Sequence, residues 1–377
     1  MYIHDLETSW VNHPFLASHF LIKDEATIQR IASAGIREVV IDSALGLDVP
    51  VQQPVMAPSH DEFRSPVKRT TPATIEIERA RHLYLDTTNV VRNLMSAARS
   101  GNKVSVDQLR PSAERVVQSA VRNRHALSSI SRIKSKDEYT FMHCVGVSAL
   151  LVSFAIEMGL PEETLEDLAV GGLVHDIGKA LVPQQVLNKP GRLDESEFGM
   201  MKSHVTHSRE LLLGLPGITQ NALDVALLHH ERVDGSGYPG GVAGDSISLI
   251  GRMSAIVDVY DALTSVRVYK EAWEPTHAMK HLFENSGSLY DGDLVQRFVR
   301  CIGIYPVGTT VALESGRVGI VIEQTDSLTR PIVRIVYNRV HRRFERPIDV
   351  DMRHNESDRL AEAIDPAVYG ITPTDFY

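Results

Sequence analysis

His143, His175, His204, His229 and His230, with Asp176 and Asp258, are the residues whose types and spacing could do chemistry in this chain. His143 falls on a predicted helix face that runs on through Val147, Leu150 and Phe154. The pair His175-Asp176 comes seven residues after Leu168-Ala169 and so continues their buried face. His204 follows Asp194-x-x-Glu197, a capping-box spacing, and is expected on the face of Phe198 and Met201. His229-His230 close a helix with Leu223, Ala226 and Leu227 inward, and Asp258 shares a face with Ser254, Val257 and Asp261. A carboxylate on such a face costs several kcal/mol unless it is paired or metal-bound. Imidazole together with carboxylate suits Fe, Mn, Zn or Ni, whereas an all-oxygen site would suggest Mg or Ca. Seven donors are too many for one ion, and a shared carboxylate would naturally bridge two. His207, three residues after His204, has no evident partner and is read as an ordinary polar residue.

Five separate helices must converge to bring these groups together. The chain is therefore expected to be mainly α, with a helical bundle carrying the metal site. A small N-terminal α/β domain and a short C-terminal β-hairpin segment complete it. Residues 1–48 form the N-terminal unit, with a helix ending near Gly35 and a strand over Ile36–Asp42. Residues 49–72 hold five prolines among polar residues and read as a flexible linker. Residues 73–136 carry two connecting helices, Thr74–Ser100 and Ser105–Lys136, the second opened by a Ser105-x-x-Gln108 box. Through these helices the chain could signal, dimerise, or merely pack on the next domain. Residues 137–304 are the metal-bearing bundle, and 305–350 alternate in the manner of strands, as in Val318, Ile320 and Ile322. Residues 351–377 are polar and are expected to form a loosely held tail.

The text around the histidines is specific. Gly172-Leu-Val-His175-Asp176-Ile-Gly178-Lys179 is followed by Leu187-Asn-Lys-Pro-Gly191 and Met201-Lys-Ser-His204. His229-His230-Glu231-Arg-Val-Asp234-Gly-Ser-Gly237-Tyr238-Pro239 comes next, then Val257-Asp258-Val-Tyr-Asp261-Ala-Leu-Thr264 with Arg267, Tyr269 and Lys270. This series resembles the HD-GYP family, bacterial cyclic di-GMP phosphodiesterases within the HD metal-dependent phosphohydrolases. The resemblance covers roughly residues 137–304, and residues 1–48 resemble a small domain often fused to it. It implies an HD-type bundle in which His143, His175 and Asp258 hold one metal. It assigns His204, His229 and His230 to a second, with Asp176 bridging. Some members hold a third ion through a glutamate at the position occupied here by Tyr139. Glu138 is adjacent but about 100° away around the helix, so two ions are expected.

The implied chemistry is attack by a metal-bridging hydroxide on a phosphodiester, giving pGpG and, by further hydrolysis, GMP. The expected cofactors are two divalent metal ions, Fe or Mn first, with Ni, Zn or Co compatible. Lys179 would contact the scissile phosphate, and Arg267 and Lys270 the substrate's phosphates and bases. Tyr238, in a loop suited by its glycines and proline to a sharp turn, could stack on guanine or position a phosphate. Asp137 and Asp261 are candidates for proton transfer or for orienting ligands. The family's Gly-Tyr-Pro loop is also credited with binding diguanylate cyclase (GGDEF) domains.

Composition narrows the alternatives. A formal charge of −9 disfavours DNA as a partner. Two cysteines, Cys144 and Cys301, make no disulfide framework or zinc pattern, and no signal-like or membrane-spanning segment is read, so the cytoplasm is the expected location. No nucleophile motif accompanies either cysteine, in keeping with water as attacker. The rival readings are a weakly active cyclic di-GMP sensor that signals through partner proteins, and an HD-type nucleotidase or (p)ppGpp hydrolase. The doubled histidine and the Gly-Tyr-Pro loop argue against the latter.

Overall fold

In a computed structural model, residues 2–5, 20–22, 24–33, 40–41, 73–130, 139–265, 272–355 and 357–376 are described. The chain divides into two compact units, Met1–Phe63 and Arg64–Tyr377. In the first, β1 (Tyr2–Asp5) pairs antiparallel with β2 (Phe20–Leu21) on one side and β3 (Val40–Ile41) on the other, and α1 spans Glu25–Ser33. Only Val40–Ile41 of the expected strand is described, and Gly35 and the whole linker, residues 49–72, lie outside the described residues.

The second unit begins with α2 (Ala73–Arg99), close to the expected Thr74–Ser100. Ile77, Ala80, Tyr84, Val91, Leu94 and Ala98 recur at helical spacing and are all buried. The single helix expected over Ser105–Lys136 is instead broken. A short turn at Val106–Gln108 precedes α3 (Arg110–Arg122), and α4 (Ala126–Ile130) follows a break at Asn123. Pro111 explains the first interruption: it lacks an N–H for an unbroken ladder and suits the first turn of a new helix. The Ser105 side chain makes no capping bond, so the expected box does not form. At the second break Asn123 is extended and its Oδ1 accepts from the His125 N–H at 3.0 Å.

These helices are part of the bundle rather than a connector to it. Leu94, Leu109 and Val116 share one apolar core with residues of every helix from α5 onward that lines the site, so residue 137 does not separate two cores. Glu76, fully buried on α2, accepts two bonds from the Arg122 guanidinium at 2.7 and 2.9 Å and one from Ser119 Oγ at 2.9 Å. This bidentate pair locks α2 to α3.

The central helix is α5 (Tyr139–Met158), buried continuously from Met142 to Ile156. Among the described residues it alone is long and apolar enough to cross a membrane, but 83% of its apolar window is inside the bundle. It packs on α6 (Glu162–Val174), where a Cβ added at Gly172 would lie 2.4 Å from the Ser148 Cα. Then come α7 (Gln184–Leu187), α8 (Glu195–Lys202), α9 (His204–Leu212) and α10 (Gln220–Leu228). The bundle closes with α11 (Leu249–Thr264), α12 (Pro275–Glu284) and α13 (Gly292–Ile302). Phe298 of α13 packs edge-on to Phe154 and Tyr260, at 5.3 and 5.2 Å between ring centres.

The C-terminal strands form a five-stranded antiparallel sheet ordered β7-β6-β5-β4-β8, larger than the expected hairpin. They are β4 (Thr310–Leu313), β5 (Arg317–Glu323), β6 (Ile332–Asn338), β7 (Arg343–Asp351) and β8 (Leu360–Ala363). The tail beyond residue 350 is not loose. β8 pairs with β4, and Ile371 is buried against Val318, Ile320 and Val336. The alternation of β5 and β6 leaves both faces apolar, and these few tail residues cover one of them.

Candidate metal centre

Helix ends set the geometry. α5 supplies His143 from its buried length, His175 caps the C-terminus of α6 with Asp176 just beyond, and α9 starts on His204. α10 ends on His229 with His230 following, and α11 supplies Asp258 and Asp261. The capping box Asp194–Glu197 forms at the start of α8, but that helix stops at Lys202. His204 therefore opens a separate helix rather than sharing a face with Phe198, which is exposed.

The five imidazoles and two carboxylates converge. His143, His175 and Asp258 form one group whose donor atoms lie within 4.8 Å of one another. His204, His229 and His230 form a second by the same measure. Asp176 stands between the groups. Its Oδ2 is 3.3 Å from His175 Nε2 and 3.7 Å from His143 Nε2, while its Oδ1 is 3.3 Å from His204 Nε2 and 3.9 Å from His229 Nε2. Asp258 reaches both sides as well, with Oδ1 2.9 Å from His143 Nε2 and Oδ2 3.8 Å from His230 Nδ1.

The hydrogen bonds behind the rings test whether cations fit. Nδ1 of His175 faces the Gly172 carbonyl at 2.8 Å, that of His204 the Met201 carbonyl at 2.7 Å, and that of His229 the Val225 carbonyl at 3.1 Å. Nδ1 of His143 faces Asp261 Oδ2 at 2.6 Å. A carbonyl can only accept, so each of these Nδ1 atoms carries the proton, and a neutral ring then points an Nε2 lone pair inward. His204 Nε2 and His229 Nε2 face one another at 3.5 Å. Burial holds the pKa of His204 down to about 4 and that of His229 to about 3, and pushes His230 down as well. These rings are therefore uncharged at neutral pH, and two bare acceptors confront each other. Oδ1 of Asp176 is also buried without an aligned hydrogen bond, whereas Nε2 of His175 lies 3.3 Å from Asp176 Oδ2, whose charge favours a proton on that ring. A divalent transition-metal cation would answer the facing lone pairs of His204 and His229 and the bare oxygen of Asp176, and the mixed imidazole–carboxylate set suits Fe, Mn, Zn, Co or Ni.

The carboxylates stay ionised. Burial works against charge on Asp176, but Lys179 and His175 outweigh it and hold its pKa well below the usual range. For Asp258 the hydrogen bond and charge of His143 likewise overcome burial. His175 is buried too, yet the adjoining Asp176 keeps its pKa well above the ordinary value.

Other expected residues sit around this cluster. Lys179 Nζ donates to Asp176 Oδ2. Tyr238 stacks on His230 with ring centres 4.6 Å apart, and Lys202 Nζ lies 5.9 Å from the Tyr238 ring on its way to Phe198. Tyr139 stacks on His143 at 5.5 Å, with its ring where the resemblance looks for a glutamate. His207 stays outside, paired with Glu210 and Ser203. Asp137, Arg267 and Lys270 lie outside the described residues. The sequence reading assigned no role to Ser208 or Glu231. Ser208 Oγ accepts from the Gly178 N–H at 2.9 Å and donates to the His175 carbonyl at 3.1 Å, joining α9 to the His175-Asp176 turn. Glu231 accepts from the N–H groups of Gly240 and Val242.

Comparison with known proteins identifies relatives of the whole chain. Residues 113–294 match the HD domain, and residues 1–109 match a domain of unknown function (DUF3391). The chain is 38% identical over 344 residues to cyclic di-GMP phosphodiesterase PA4108 of Pseudomonas aeruginosa, covering 90% of this chain and 83% of that protein. It is 41% identical over 182 residues to the cyclic di-GMP phosphodiesterase response regulator RpfG of Xanthomonas campestris pv. campestris, 48% of each chain. The solved structure of Bd1817, an HDG"Y"P protein from Bdellovibrio bacteriovorus, shares the fold with a TM-score of 0.50 at 18% identity, over 59% of this chain and 71% of that one. The HD-domain match and the identity to these phosphodiesterases define an HD-domain phosphohydrolase, an enzyme of the phosphodiesterase class. Within that class the chain belongs to the HD-GYP family.

Proposed function

We propose that this enzyme hydrolyses cyclic di-GMP to linear pGpG, with GMP arising when the linear product is cut again. The observation that carries the reading is the pair of triads flanking Asp176, which presents one carboxylate oxygen to each. Identity to PA4108 along most of both chains supports the substrate.

In this reading His143, His175 and Asp258 would hold one divalent cation and His204, His229 and His230 the other, with Asp176 between the two groups. Such a pair, when bound, acidifies a shared water and neutralises charge on the phosphoryl oxygens. Everything else falls to the protein. Backbone carbonyls fix the ring orientation of His175, His204 and His229, so the ligand atoms need no rearrangement. Asp261 does the same for His143. Lys179, a cation beside Asp176 with 19% of its side chain exposed, is placed to meet the scissile phosphate. Tyr238, over His230, offers a face to a guanine or an edge to a phosphate. Arg267 and Lys270 are assigned to the substrate's remaining phosphate and bases, and Asp137 to proton transfer, on the resemblance alone. Docking of a diguanylate cyclase domain on the Gly235–Pro239 loop belongs to the same proposal, as does a cytoplasmic setting, in keeping with two buried free cysteines.

The test is product chromatography on protein reconstituted anaerobically with Mn(II) or Fe(II). Conversion of cyclic di-GMP to pGpG, lost in His175→Ala and Asp176→Ala, is the expected result. Tight binding of the dinucleotide with no product under any metal would instead identify a sensor. Pyrophosphate release from (p)ppGpp with cyclic di-GMP untouched would identify a different hydrolase.

A further inference from the structure

Glu231 follows the proposed ligand pair His229-His230 directly, and its carboxylate reaches the amides of Gly240 and Val242. Its side chain is 2% exposed. Among the described residues no Lys, Arg or His pairs with its carboxylate. Oε1 accepts from the Gly240 N–H at 2.7 Å and Oε2 from the Val242 N–H at 3.0 Å. A buried, ionisable side chain is costly, and one whose partners are two backbone amides of a glycine-rich loop needs an explanation beyond packing.

The loop it grips carries Tyr238 and Pro239. Two further backbone bonds return to the same short segment: the Tyr238 N–H donates to the His230 carbonyl at 3.2 Å and the Gly235 N–H to the Arg232 carbonyl at 2.8 Å. The approach is close enough to forbid a side chain. A Cβ at Gly237 would lie 2.5 Å from Glu231 Cα and 2.6 Å from the His230 carbonyl oxygen. The loop therefore folds back onto residues 230–232, and Glu231 pins the segment that follows Tyr238. The outcome is the ring of Tyr238 stacked on the ring of His230, with 28° between the planes.

We infer that Glu231 is a positioning residue: its carboxylate ties the Gly235–Val242 loop to the metal-ligand segment and so fixes Tyr238 for recognition of the cyclic dinucleotide. It touches neither metal nor substrate. The inference rests on the functional reading above for the identity of what Tyr238 recognises, but not for the tie itself.

The test uses the full-length, Mn(II)-loaded protein and the variants Glu231→Ala and Glu231→Gln. Hydrogen exchange read by mass spectrometry over residues 235–242 should quicken about tenfold or more in Glu231→Ala, at unchanged metal content. KM for cyclic di-GMP should rise about tenfold, while turnover of bis(p-nitrophenyl) phosphate, which has no nucleobases, stays within about twofold. Glu231→Gln keeps one acceptor oxygen and should fall between. Combining Glu231→Ala with Tyr238→Ala should cost no more KM than Tyr238→Ala alone. Unchanged exchange in Glu231→Ala overturns the inference, and so does equal loss on both substrates together with lost metal. If the unaltered enzyme cleaves the simple ester but not cyclic di-GMP, the functional reading fails, and the exchange measurement still decides the tie.

Discussion

Oδ2 of Asp261 lies 2.6 Å from Nδ1 of His143, and both residues are buried. The same ring turns its Nε2 to Asp258 at 2.9 Å, so one imidazole is held between a carboxylate that orients it and a carboxylate that would share its proposed ligand role. The other three rings with resolved Nδ1 bonds use backbone carbonyls, which no substitution removes. Asp261→Asn therefore isolates the orienting charge. Metal affinity and cyclic di-GMP turnover should both fall on the order of 10- to 100-fold, with the fold retained by circular dichroism. Unchanged affinity would show that His143 needs no such partner.

Gly178 is where the turn after Asp176 meets α9. A Cβ there would lie 1.9 Å from the His204 carbonyl oxygen and 2.5 Å from the Ser208 nitrogen. Gly178→Ala must push the start of α9, and His204 with it, away from Asp176. The expected result is a destabilisation of about 1–3 kcal/mol, together with metal content reduced in the second site first. Calorimetry and metal analysis on one preparation check both.

The metal-free protein should lose stability as pH falls from 6.5 toward about 4. His204 and His229 take up protons near 6.5 when unfolded but only near 4 and 3 when folded, so the unfolded chain binds more protons across that window. Their stabilising effect is complete above pH 6.5 and withdrawn below it. His175 has the opposite shift, and its contribution is constant below 6.5 and lost only as pH rises through its higher folded value. The loss should be on the order of a few kcal/mol by pH 4.5, read from denaturant midpoints with a chelator present. A flatter profile in the His204→Asn, His229→Asn double variant confirms the source, and an unchanged slope contradicts it.

Ile371, 4% exposed, closes one face of the C-terminal sheet over Val318, Ile320 and Val336. Ile371→Ala should destabilise the protein by about 2–4 kcal/mol in denaturant titrations. A change near zero would mean that the segment after β8 covers nothing that matters.

Much of the site was legible because it breaks a rule of burial. Histidines and aspartates on stripes of Leu, Val and Ala are anomalies in a sequence, and His143, His175 and Asp258 all proved to be buried on the faces expected of them. α2 was legible for the plainer reason that its apolar residues recur at helical spacing. What escaped notice depends on contacts between distant backbones. Pro111 splits an otherwise periodic helix, and Ser203 separates α8 from α9 although the apolar pattern runs through both. The tail looked unattached because its polar composition hides four or five apolar residues that a sheet can use. Glu231 bonds to amides nine and eleven residues away, and no pattern of side chains marks such partners.

The central claim is that Asp176 joins two cation sites, one on each carboxylate oxygen. Metal counting by mass spectrometry on Mn(II)-reconstituted protein tests it most directly, with the electron paramagnetic resonance spectrum recorded on the same sample. The account predicts about two ions per chain with the spectrum of an exchange-coupled pair, and loss of that coupling in Asp176→Ala. A single uncoupled ion in a fully active enzyme, or a coupled pair that survives Asp176→Ala, would contradict it.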